Sequence, residues 1–103
     1  MLSKRVVVCA AVRFPDGVML VGPRHYDKVM LDQFQRHYQG VAAVPSEAEG
    51  ECGFLDQAGV FLDRTTAFGI AKVAGQVLDS GYPAGPRLFS EDLYGEYRAE
   101  VAC

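Results

Sequence analysis

The segment Gly22-Pro23-Arg24-His25-Tyr26-Asp27 gathers a guanidinium, an imidazole, a phenol and a carboxylate at four consecutive positions. It falls where a Val-rich strand pattern gives way to helical spacing. An arginine at such a joint presents planar donors that suit a phosphate bidentately, and the N–H groups of a helix start add to them. Tyr26 or a neighbouring ring could stack on a base. The same residues also admit a purely architectural role, in which Arg24 pairs with Asp27 or another surface acid and His25 caps or packs.

Three further groups carry chemistry. Phe54 and Phe61 flank a turn in GFLDQAGVFLDR, and paired aromatics in a small domain are core residues or a stacking platform. Arg64 stands in the first turn expected of a helix, where the dipole disfavours a cation, so it faces an anion, an acidic partner or a surface acid. Gln76 follows a helix-ending Ala74-Gly75, and its amide could read a base or ribose or simply cap the helix. Ser90, Glu91 and Asp92 form an acidic turn that could hold a metal or supply an acid and a base; the plainer roles are dipole partner and salt bridge to an arginine.

Around these groups the composition sets limits. The chain has 103 residues, half of them hydrophobic, a size at which one domain with one core is expected. With 10 Lys plus Arg against 13 Asp plus Glu the net charge is −3, which offers no general field for long nucleic acid. The opening MLSKRVVVCAAVRF has a basic pair before an apolar run, but Arg13 and a turn follow too soon for a signal peptide, so it reads as a strand in a cytosolic protein. No apolar run approaches the roughly 18 residues that span a bilayer. Cys9, Cys52 and Cys103 are odd in number and lack metal spacing, so neither disulfide nor zinc is expected, and Cys9 and Cys52 suit small core positions. P-loop, G-x-S-x-G, H-E-x-x-H and C-x-x-C patterns are absent.

The elements that position these residues come in two similar units. Residues 4–14 and Val18 to Val21 read as strands joined by the turn formers Pro15-Asp16-Gly17, and a helix from near His25 to near Tyr38 follows at 3.6-residue spacing. After a loop over residues 39–51, Cys52 to Leu55 and Val60 to Leu62 read as a second hairpin. Asp63 then caps a helix whose buried face holds Ala67, Ile70, Ala71 and Ala74. Residues 77–87 read as loop, and Ser90 could cap a short helix within residues 88–94. The expected fold is α+β: a small antiparallel sheet from two hairpins packed against two main helices.

The start CAAVRFPDGVMLVGPRH resembles the first hairpin of a Nudix hydrolase, but the glutamate-rich R-E-x-x-E-E helix of that family is missing. Glu47, Glu49 and Glu51 alternate in a loop instead. The order of GPRH, GFLDQAGVFLDRTTAFGIAKVAGQ and LFSEDLY resembles the small phage proteins of the first-described Thoeris anti-defence family, over most of residues 4–94. That resemblance implies a non-enzymatic sponge without cofactor or metal, built from dimers into a hexamer, that sequesters cyclic ADP-ribose isomers and in some members cyclic oligonucleotides of CBASS immunity. It would give Arg24, Arg64 and Arg87 to phosphates, aromatic rings such as Phe54 and Phe61 to adenine, and His25, Gln76, Ser90, Glu91 and Asp92 to polar edges or pocket bracing. Two rivals are a phosphodiesterase or nucleotide hydrolase using His25 with Glu91 or Asp92, and a protein-interaction module that pairs through an apolar edge such as Val18 to Val21.

Overall fold

The β-branched run of the N-terminal segment forms β1 (Val7–Arg13), and β2 (Met19–Gly22) returns beside it, with Ala11 opposite Val21. The turn between them is the one that Pro15-Asp16-Gly17 requires. Gly17 takes φ +92°, Phe14 donates its N–H to the Val18 carbonyl at 2.9 Å, and the Asp16 carboxylate accepts from the Val18 N–H at 3.0 Å. Tyr38 donates its hydroxyl to the same carboxylate at 2.8 Å, which ties the end of the first helix to the hairpin tip. These bonds, the Val18 N–H foremost, hold Asp16 below the usual carboxylate range. Burial first and the Asp16 bond second push Tyr38 up to about 12.

The computed structural model describes residues 5–78, 85–89 and 92–93. In it, α1 (Lys28–Tyr38) begins three residues later than the periodicity suggests. Tyr26 has φ +55°, a left-handed conformation incompatible with helix, and Asp27 caps instead, accepting from the Met30 N–H at 3.0 Å. Part of the expected loop is ordered as a 3-10 turn, Glu47–Glu49, closed by the reciprocal capping of Ser46 and Glu49.

The second unit comprises β3 (Glu51–Asp56), β4 (Phe61–Asp63) and α2 (Arg64–Val73). Asp56 organises its turn: it is 5% exposed, accepts from the N–H groups of Ala58 at 2.8 Å and Val60 at 2.9 Å, and meets Arg5 Nη2 at 3.0 Å. The Val60 N–H, helped by Arg5, keeps its carboxyl below the ordinary value. Asp63 caps α2 as expected, accepting from the Thr66 N–H at 2.7 Å, and Gly75 ends the helix region at φ +75°.

All four strands are antiparallel in the order β2-β1-β3-β4, so the two hairpins are joined through β1 and β3, with a bulge between Val7 and Cys9. Ala10, Val12, Leu20, Phe54 and Leu62 point to one face and form a single core with Met30 of α1 and Ala67 and Ala71 of α2. Both helices therefore cover the same side. Phe54 at its centre is fully buried, worth about 3 kcal/mol of burial by itself. On the opposite face the Arg13 guanidinium lies 4.1 Å from the Phe61 ring centroid and 2.8 Å from Glu51. Cys52 differs from the expectation of a free core thiol, for it is disulfide-bonded; Cys9 is a half-buried thiol.

Candidate functional site

At the joint after β2 the chain turns inside four residues because Gly22 leaves room for the Asp27 carboxylate, which a Cβ there would approach to 3.0 Å. That carboxylate takes the Met30 N–H on one oxygen and the Arg24 N–H on the other at 3.3 Å. The start of α1 is thus served by its own Asp27, where the sequence suggested N–H groups presented to a phosphate.

The left-handed turn at Tyr26 sends His25 and Tyr26 inward. Tyr26 donates its hydroxyl to the Glu47 carbonyl at 2.6 Å, and burial, with Glu47 nearby, pushes it up to about 12. His25 is 2% exposed; its Nε2 donates to the Gly53 carbonyl at 2.7 Å and its ring stands edge-on to Phe54 at 5.0 Å. Arg24 alone of this group faces outward, half-buried along an open groove of about 500 Å³. Val8, Cys9, Val21 and Val29 give that groove apolar walls, and Arg24 and Gln33 give it polar ones. Burial pushes the Cys9 thiol up, so little thiolate exists there at neutral pH.

Three of the other predicted residues meet in a second place. Arg64 is 4% exposed, and its Nη1 donates to the Leu88 carbonyl while Leu88 returns its N–H to the Arg64 carbonyl at 2.9 Å. Its guanidinium lies 4.5 Å from the Phe89 centroid and 5.8 Å from that of Phe54. Arg87, exposed, reaches the same Phe89 ring at 5.8 Å. The arginine that the helix dipole disfavours thus faces inward, fastening residues 87–89 to the start of α2 through a cation–π contact with Phe89 and a carbonyl bond.

Gln76 is also spoken for. Its Oε1 accepts from the Val7 N–H and its Nε2 donates to the Val7 carbonyl, both at 2.8 Å. Phe61 lies on the far face of the sheet under Arg13, away from Phe54. Asp92 accepts from the Phe89 N–H at 2.9 Å and so shapes its own turn, whereas Ser90 and Glu91 lie outside the described residues. The sequence reading missed Gln33, which repeats the Gln76 arrangement on Val21; α1 carries two glutamines, Gln33 and Gln35, and no local pattern tells which of them meets a strand. Among the described residues no three His, Cys, Asp or Glu side chains converge as a metal site, and no helix is long and apolar enough to cross a membrane.

Fold and groove together define a small α+β protein whose outward-facing polar chemistry at the joint is one arginine beside an apolar trough. The model of the phage T4 y16D protein family matches residues 6–94, and the chain belongs to that family. Neither a curated protein nor a solved structure matches it.

Proposed function

We propose that this phage protein binds a cyclic nucleotide immune signal and holds it unaltered, with cyclic ADP-ribose isomers first and CBASS cyclic oligonucleotides second among the candidates. The observation that carries the reading is the groove beside α1: its size falls in the range of small-ligand sites, its walls suit an adenine ring, and Arg24 lies where a phosphate would need a cation. Membership in a phage family and the order of the GPRH, GFLDQAGVFLDRTTAFGIAKVAGQ and LFSEDLY segments support it. The groove is open, so a second copy of the chain completes its wall, consistent with assembly into dimers and then a hexamer.

A hydrolase built on His25 is the weaker reading, because that imidazole is buried with Nε2 committed to the Gly53 carbonyl. The test is to incubate the purified protein with cyclic ADP-ribose isomers and cyclic di- and trinucleotides, filter it, and analyse bound and heat-released material by chromatography with mass detection. Intact ligand near one per site supports sequestration. Converted ligand overturns it in favour of an enzyme, and no retention overturns it in favour of a protein-interaction role. Arg24→Gln should weaken retention by about 10- to 100-fold, the value of one charge-assisted hydrogen bond.

A further inference from the structure

β2 is an outer strand, and its outward backbone groups occur at alternate residues, Met19 and Val21, which face Arg13 and Ala11 in non-hydrogen-bonded positions. Such a row is a template on which another chain can add. At Val21 it is filled from within: Gln33 Oε1 accepts from the Val21 N–H at 2.9 Å, and Gln33 Nε2 donates to the Val21 carbonyl at 2.7 Å. A side-chain amide carries one donor and one acceptor in the same geometry as a peptide group, so it can reproduce both bonds of a neighbouring strand residue. Gln76 does the same for Val7 of β1, in the stretch beyond Ala10 where β2 has ended at Gly22.

We propose that Gln33 and Gln76 act as substitute strand residues that close the β2 side of the sheet at Val21 and Val7, so that neither a second copy nor a peptide adds there as a further strand. Two glutamines, one on α1 and one just past the end of α2, make the same two-bond closure, each on a strand residue that among the described residues has no neighbouring strand on that side. Val21 and Gln33 also line the groove, so a second copy that completes its wall does so through side chains and not by strand pairing, and Gln76, outside the groove, tests the closure apart from ligand binding. The closure also removes Val21 from the edge that the interaction-module reading would use.

The test is Gln33→Leu, which keeps side-chain size and helix propensity while deleting both bonds. Amide hydrogen exchange and mass measurement are followed across protein concentration. In dilute solution the Val21 amide should exchange roughly 2- to 10-fold faster than in the wild type, as loss of one net hydrogen bond requires. On concentration the variant should form larger species than the wild type and regain protection at Val21. Gln76→Leu gives the same reading at Val7 and carries the test if Gln33→Leu does not fold. Equal exchange at these amides in wild type and variants, or variant assembly identical to wild type at every concentration, overturns the proposal.

Discussion

Replacing Gly53 by alanine should unfold this protein more readily, although the same change in an ordinary strand is mildly favourable. A Cβ at Gly53 falls 2.2 Å from the Leu62 carbonyl oxygen and 2.5 Å from Phe61 Cζ. The ring can swing aside at the cost of its stack on Arg13. The carbonyl cannot, because it belongs to β4 opposite Phe54, and it is about 1 Å inside ordinary carbon–oxygen contact. Overpacking of this kind costs up to about 3 kcal/mol, which at roughly 4 °C per kcal/mol lowers the thermal midpoint by about 12 °C. The internal control is Gly69→Ala in exposed α2, where a Cβ meets nothing within 4 Å. That change should stabilise by about 0.8–1 kcal/mol and raise the midpoint by about 4 °C. Thermal and urea unfolding followed by circular dichroism read both. A Gly53→Ala protein as stable as the wild type, or a destabilised Gly69→Ala, would refute the packing argument.

Both Tyr26 and Tyr38 sit near 12 against an ordinary 10.0, so the unfolded chain loses these protons first. Their contribution to stability is therefore full below pH 10 and fades as pH rises toward 12, which ultraviolet tyrosine titration and alkaline unfolding should show, with Tyr26→Phe and Tyr38→Phe each flattening the fall. Asp56 behaves in the opposite sense: its folded value lies below 3.8, so its contribution is present above that value and disappears as pH drops through the folded value. Asp56→Asn should be less stable at neutral pH and lose less on acidification, as measured by urea midpoints across pH. Arg64→Lys keeps the charge but loses the flat stack on Phe89 and the reach to the Leu88 carbonyl, and its urea midpoint should fall by the equivalent of about 1–3 kcal/mol.

Local chemistry made the scaffold readable. The turn at Pro15-Asp16-Gly17, the cap at Asp63 and the Ala67/Ala71 stripe each have a short-range cause, and each is where its residues place it. The start of α1 slipped because the left-handed turn at Tyr26 is held by distant groups, the Glu47 carbonyl among them. The joining of the hairpins through β1 and β3 has no short-range signal either. Of the described candidate residues, Arg24 alone stands on the groove. His25, Phe54 and Arg64 do come together, but inside the protein. Gln76, legible as an amide with something to bind, binds the backbone of Val7, 69 residues away, and no local pattern announces such a partner.

That separation bears on how the chain is made. β1 leaves the ribosome before the other described strands, yet its pairing with β3 joins Arg13 to Glu51, 38 positions later, and Val7 waits for Gln76. The β1–β2 hairpin can close as soon as β2 exists, whereas its other flank stays bare until β3, residues Glu51–Asp56, has been synthesised. Contacts this remote in sequence slow folding, and an exposed strand is the region at which nascent chains associate wrongly. β1, made before its partners, is thus complete only once residue 76 has emerged, and a chain cut short before that residue leaves Val7 without its amide partner.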